Sequence, residues 1–336
     1  MVRFSELLEH SAKEGKIPLK FVKILRGFYQ SYGEAVEKNG QPREQFEGVL
    51  ATFLSAALSA FEHPHSFESY HERVRAPVDY YQLGLDLLRP LVVFEQSKIL
   101  GLENLNQIER QLKQGDNVIL LANHQTEPDP QAISLLLEKT HPKLAEELIL
   151  VAGQRVLTDP LAIPFSLGRN LLCIYSKKYI NTPPEEKEEK LKRNQRTLKK
   201  MGELLQEGGK CIYVAPSGGR DRRNAQGIVE VAPLDPASIE LFGLIAKNAE
   251  TPTHFYPLAL ATYDLLPPPN GIEKDLGEKR ETRCTPIHLA FGKEVDMLHF
   301  PGSTGLSKKE LRQARADYIW NEINRDYQTL VGSQHA

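Results

Sequence analysis

The chain has 336 residues, 40 % of them hydrophobic and 26 % charged, and a formal net charge of −2. This is the balance of a globular protein of about two domains, and its near-neutral charge argues against nucleic acid as a partner. No apolar run approaches the roughly 20 residues that span a bilayer, and Met1-Val-Arg-Phe-Ser-Glu-Leu-Leu-Glu-His10 is neither a signal nor a transit peptide, although the chain could be a mature form.

Residues 1–75 predict a small helical bundle. Phe4, Leu7 and Leu8 begin one helix that ends near Gly15. Ile17 to Asn39 forms a second, with Phe21, Ile24, Leu25, Phe28 and Tyr29 at helical spacing. Glu44 to Phe61 forms a third. The aromatics read as core, and His63 and His65, around Pro64, as loop residues rather than metal ligands. From 76 to 336 apolar strand runs alternate with helical runs. The strands expected are Val118–Ala122, Leu148–Ala152, Leu172–Tyr175, Cys211–Ala215, His254–Ala261 and Ile287–Phe291. This alternation predicts an α/β domain with a mostly parallel central sheet covered by helices.

Pro183 to Glu207 predicts a long helix capped by Thr182, with Leu191, Leu198, Met201 and Leu205 on its inner face and a basic stretch from Lys187 to Lys200. Such a stretch is either a solvated face or a dock for an acidic partner. Leu266-Pro-Pro-Pro-Asn-Gly271 and Pro301-Gly-Ser-Thr-Gly305 read as loops, and Ser307 to Leu330 as a closing helix carrying Trp320. Cys173, Cys211 and Cys284 are widely spaced. Cys173 and Cys211, in apolar strand-like runs, read as small buried hydrophobes of a reducing compartment, and no metal or cofactor is expected.

The chemistry gathers at strand ends. After Val118–Ala122 comes a polar, proline-broken segment with His124 and Asp129. A carboxylate five residues away can take one imidazole N–H and leave the other nitrogen as a base. The spacing alone also fits a loop histidine satisfied by its neighbour. Ser176-Lys-Lys-Tyr179 follows one strand and Pro216-Ser-Gly-Gly-Arg-Asp-Arg-Arg223 another. In a parallel sheet all three loops leave by one edge. Lys178, Arg220 and Arg222 there suit a phosphate, unless carboxylates such as Asp221 and Asp235 take the arginines. Gly218 and Gly219 would let the backbone approach a ligand. No P-loop, G-x-S-x-G elbow, H-E-x-x-H or G-x-G-x-x-G after a strand is found. A base beside a phosphate cradle, with no protein nucleophile, fits a transferase whose substrate hydroxyl attacks.

Asn123-His-Gln-Thr-Glu-Pro-Asp129, Gly168-Arg-Asn170 with Ser176-Lys-Lys178, Ala215-Pro-Ser-Gly-Gly-Arg-Asp-Arg222 and Phe255-Tyr-Pro-Leu-Ala-Leu260 resemble the four ordered blocks of the glycerolipid acyltransferases. More narrowly, with Val156-Leu-Thr-Asp-Pro-Leu161, the chain resembles the glycerol-3-phosphate 1-O-acyltransferases of plastids and chlamydia-type bacteria. The resemblance runs from about residue 100 to 300. It implies His124 as general base, Asp129 as its orienting partner, and Lys178, Tyr179, Arg220 and Arg222 around the phosphate of glycerol 3-phosphate. Tyr179 departs from the histidine of plant members and would donate without charge. The implied reaction moves an acyl group from acyl-acyl carrier protein or acyl-CoA to the sn-1 hydroxyl, giving lysophosphatidate. The protein would work in a bacterial cytoplasm or a plastid stroma, soluble or in peripheral contact with a membrane. Lysophosphatidate acyltransferase and a His-dependent hydrolase of a phosphorylated substrate are the alternatives.

Overall fold

The structure is a computed structural model that describes residues 3–177, 179–269, 271 and 275–332. Three leading helices, α1 (Phe4–Lys13), α2 (Leu19–Lys38) and α3 (Glu47–Glu62), form close to where their apolar spacing predicts them. Phe4, Leu25, Phe28, Leu50, Phe53 and Leu54 are buried between them. Their cluster takes in a fourth helix, α4 (Tyr80–Leu88), and reaches Ala132 and Leu135 of a helix in the α/β part.

The strands are β1 (Tyr70–His71), β2 (Lys98–Leu100), β3 (Asn117–Ala122), β4 (Ile149–Gly153), β5 (Asn170–Ile174), β6 (Cys211–Val214), β7 (Arg222–Arg223), β8 (Val229–Glu230), β9 (Thr253–Ala261) and β10 (His288–Phe291). Eight of them form a sheet in the order β1-β5-β4-β6-β3-β9-β10-β2, while β7 and β8 pair separately. The pairs among β3, β4, β5, β6 and β9 are parallel, as is β10 with β2. Only β1–β5 and β9–β10 run antiparallel in the large sheet. The expected mostly parallel sheet is therefore present.

The later helices are α5 (Leu102–Gln114), α6 (Asp129–Leu137), α7 (Pro142–Glu147), α8 (Gln154–Thr158), α9 (Ile163–Leu167), α10 (Lys187–Glu207), α11 (Pro236–Asn248) and α12 (Lys308–Gly332). They explain why β3 is a continuous apolar run: it has no wet face. Ile119 and Leu121 point into one core with Met201, Leu205, Phe242 and Ile319 of α10, α11 and α12. Val118, Leu120 and Ala122 point into the other, with Leu105, Ile133 and Leu144 of α5, α6 and α7.

Two expectations for α10 are corrected. It begins at Lys187 after a short 3₁₀ turn at Pro184–Glu186, and Thr182 supplies no side-chain cap. Leu191 is 43 % exposed; Lys190 is buried instead, its Nζ donating to the Thr182 carbonyl at 2.5 Å. A lysine with a backbone acceptor and a carboxylate within reach (Glu186, 3.0 Å) can be buried where leucine was expected. The three cysteines are free thiols. Among the described residues no helix is long and apolar enough to cross a membrane.

Candidate active site

At the C-terminal edge of the parallel strands β3 ends, but β9 runs on to Ala261. Asn123 continues the ladder with its side chain: Oδ1 accepts from Leu260 N at 2.8 Å, and Nδ2 donates to Leu260 O at 3.0 Å. Gln125 does the same one step on, its Oε1 accepting from Thr262 N and Tyr263 N at 2.7 and 3.0 Å. With Asn123 and Gln125 turned inward and fully buried, the residue between them must face out. That residue is His124, one-third exposed.

His124 Nδ1 lies 2.8 Å from Asp129 Oδ2. Asp129 is 1 % exposed and opens α6. Its carboxylate also accepts from Gln125 N (2.8 Å), Thr126 N (3.1 Å) and Thr262 Oγ1 (2.6 Å). Every neighbour of this carboxylate is a donor, so Nδ1 carries the proton and Nε2 is left with a lone pair.

The loop after β6 is stitched to this one. Asp221 N donates to His124 O at 2.6 Å. The loop after β5 joins through Lys177, whose Nζ lies 2.5 Å from Asp235 Oδ2, while Asp235 N donates to Pro216 O at 3.0 Å. The three loops predicted to share an edge are thus linked. Tyr179 is half-buried there, its N–H donating to Ser176 O at 2.9 Å. Lys178 lies outside the described residues. Gly218 has φ +66, a conformation glycine adopts without strain, and a Cβ there would meet nothing.

The arginines divide differently from either sequence reading. Asp235 caps α11 and holds Lys177, and Asp221 faces inward, so neither is an arginine's partner. Arg220 instead forms a two-pronged pair with Glu278, at 2.5 and 2.8 Å. Burial would lower the Arg220 guanidinium, but Glu278 more than offsets it and the pKa is raised. Arg222 has no ion pair among the described residues and its Nη1 is buried without a hydrogen-bond partner, as is Ser176 Oγ. Burial, then the neighbouring charge of Arg220, pulls the Arg222 pKa down. Buried donors without partners are uncommon in folded proteins and fit a polar ligand or water arriving from outside.

Beneath the rim lies a buried ion network that the sequence reading missed. Arg280 donates to Glu127 at 2.9 Å and Asp159 at 3.2 Å, and Arg155 approaches Glu278 at 3.6 Å. Asp159, within Val156-Leu-Thr-Asp-Pro-Leu161, also accepts from Gly277 N at 3.0 Å and so pins the 277–280 segment beside Arg220. Burial raises the Glu127 pKa in spite of Arg280. A small pocket of about 20 Å³ next to it is lined by Phe28, Phe53, Leu88 and Phe165 together with Arg280 and with Glu127 and Pro128 of the His124 loop. Gly168-Arg-Asn170 is remote from this chemistry, at the opposite end of β5. A Cβ on Gly168 would lie 2.5 Å from the Tyr80 backbone, and Arg169 stacks 4.8 Å over Tyr81. Among the described residues no group of acidic, histidine and cysteine side chains could hold a metal.

Residues 98–260 match the family model described as Acyltransferase. The chain is 41 % identical over 332 residues to a chloroplastic glycerol-3-phosphate acyltransferase of Cucurbita moschata, an alignment covering 97 % of this chain and 71 % of the relative. It is 38 % identical to the chloroplastic glycerol-3-phosphate acyltransferase of Spinacia oleracea (98 % and 70 % covered) and 36 % identical to that of Arabidopsis thaliana (96 % and 71 %). With a histidine–carboxylate pair and a cationic loop sharing one sheet edge, and these likenesses running nearly end to end, the chain belongs to the family of plastid-type glycerol-3-phosphate acyltransferases.

Proposed function

We propose that this protein acylates the sn-1 hydroxyl of glycerol 3-phosphate, with acyl-acyl carrier protein or acyl-CoA as donor and lysophosphatidate as product. The observation that carries this reading is the 2.6 Å hydrogen bond from Asp221 N to His124 O, because it ties the loop of the base to the loop that carries Arg220 and Arg222. Arg222, with Arg220, Tyr179 and Lys178 as further donors, would take the phosphate. His124 Nε2 removes the hydroxyl proton as the oxygen attacks the thioester carbonyl. When the C–S bond breaks, the imidazolium returns that proton to the departing thiolate. Such a base contributes about 10²–10⁴-fold, and holding the phosphate converts a bimolecular encounter into an oriented one.

The test is incubation of the purified protein with labelled glycerol 3-phosphate and each thioester. Labelled lysophosphatidate, acylated at sn-1, is expected. Thioester hydrolysis that ignores the acceptor, or turnover only with lysophosphatidate as acceptor, would overturn the reading.

The acidic carrier has a narrower landing area than the sequence implied. Of the basic residues on the 187–200 stretch, Lys190 and Arg193 bond to backbone carbonyls, Arg196 pairs with Glu189, and Lys199 and Lys200 pair with Glu203. Lys187 and Lys192 are exposed and have no ion pair among the described residues. They lie toward the N-terminal end of α10, on the side where β5 delivers the chain to the rim. Reversing both to glutamate should raise KM for the carrier-linked donor about tenfold and leave KM for acyl-CoA within about twofold. Equal changes for both donors would exclude docking at this face.

A further inference from the structure

Asn123-His124-Gln125 and Arg220-Asp221-Arg222 face each other as two alternating triplets. In the first the outer residues are buried and the middle one is half-buried; in the second the middle one is buried and the outer two are half-buried. Asp221 Oδ2 accepts from Asn123 Nδ2 at 2.8 Å and from Gln125 Nε2 at 3.2 Å, so it grips both flanks of the base. Its Oδ1 accepts from Ala232 N at 2.9 Å, and its own N–H holds His124 O. Asp221 is 0 % exposed and forms no ion pair among the described residues. Burial, opposed by these hydrogen bonds, raises its pKa to about 6. A carboxylate kept in such a place costs free energy, and its four tethers all run between the base loop and the cationic loop or brace the latter.

We propose that Asp221 is a positioning residue that fixes the separation between His124 and the Arg220–Arg222 pair, and so selects acceptor alcohols by the number of carbons between hydroxyl and phosphate. This rests on the acyltransferase reading above. The acceptor's own bonds set the span between its reacting oxygen and its phosphate. The protein must therefore hold base and clamp at a matching span, and a misplacement of about 1 Å can cost about 10²-fold in rate. The backbone transmits the position: Arg220 and Arg222 are the two chain neighbours of Asp221, so a displacement of its tethered side chain moves both.

Asp221→Asn probes this without changing volume. The three donors that converge on the carboxylate need two acceptor oxygens. An amide offers one, so in either orientation its NH₂ opposes Ala232 N–H or the two side-chain amides. Gln125→Met is the second variant: it removes the Gln125 tether, together with the acceptor of Thr262 N and Tyr263 N, while leaving the carboxylate. Each is assayed with glycerol 3-phosphate, with two-carbon ethylene glycol phosphate and with four-carbon 4-hydroxybutyl phosphate, alongside calorimetric affinity for glycerol 3-phosphate. Asp221→Asn should lose about 10²-fold in kcat with glycerol 3-phosphate while its affinity stays within about threefold. The preference for three carbons over four should narrow about tenfold, and Gln125→Met should shift both in the same direction by less. If Asp221→Asn keeps kcat within about threefold, or loses activity equally with all three acceptors, Asp221 is not a spacer. If it does not fold, Gln125→Met decides by the same criteria. Wild-type turnover of glycerol 3-phosphate tests the underlying reading separately: without it both fall, whereas with it only the variants bear on Asp221.

Discussion

His124→Ala should lower kcat with glycerol 3-phosphate by about 10³-fold, with calorimetric affinity for the acceptor within about threefold of wild type. The reason is geometric. The ring is one-third exposed and meets the protein's polar groups through Nδ1, so its loss empties no core and takes away no phosphate donor. Asp129→Asn should cost about as much in kcat, because an amide can present its NH₂ to Nδ1 and favour the wrong tautomer. It should also lower the melting temperature, because four donors converge on that carboxylate and an amide cannot accept from all of them. Steady-state kinetics with thermal melting separates the two: His124→Ala is catalytically impaired at near-normal stability, Asp129→Asn is impaired in both. A His124→Ala enzyme within about tenfold of wild type would remove the imidazole from the reaction.

Arg222→Ala should raise KM for glycerol 3-phosphate by about 30–100-fold with little change in melting temperature. A charge-assisted hydrogen bond to phosphate is worth about 2–3 kcal/mol, and Arg222 holds a buried donor that nothing among the described residues engages. Arg220→Ala should show a comparable KM effect together with a loss of stability on the order of 3 kcal/mol, because it takes the two-pronged partner from Glu278, 5 % exposed, near Glu127 and Asp159, and leaves it the longer approach of Arg155 at 3.6 Å. Adding Glu278→Gln should recover part of the stability and none of the KM. The stability gap should also depend on pH. Burial pushes the Glu278 carboxyl up, but Arg220, Arg280 and Arg155 overcome it and hold the pKa below the usual value. The ion pair therefore stabilises the fold at neutral pH, and that contribution fades as pH falls through and below the ordinary carboxylate range. Denaturant titrations at pH 7 and pH 4 should show Arg220→Ala closer to wild type in acid. Unchanged KM in Arg222→Ala would place the phosphate elsewhere.

What the sequence disclosed follows from how far apart the interacting groups lie along the chain. His124 and Asp129 are five residues apart and flanked by a strand and a helix with clear apolar patterns, so their meeting could be anticipated. Arg220 and Arg222 were placed on the right edge by the parallel sheet. Glu278 is 58 residues from Arg220, and Arg280 is 153 from Glu127; no local spacing announces such pairs, so the network beneath the rim was invisible. Asp221 was visible, but only as an alternative partner for its arginine neighbours. The amides of Asn123 and Gln125 draw its carboxylate away from them, and that becomes evident only once the facing triplet is in place. The edge strands β1 and β2, two and three residues long, are too short for any periodicity to show.

The apolar cluster that joins α1–α4 to Ala132 and Leu135 has a consequence for rebuilding this protein. Those two residues sit within the first two turns of the helix that starts with Asp129, so the leading helices bear on the very segment that orients the imidazole. A chimaera that exchanged them for another family member's would be judged too leniently by expression and solubility alone. It could stay soluble yet let α6 drift by a fraction of an ångström, and turnover would register the mismatch first.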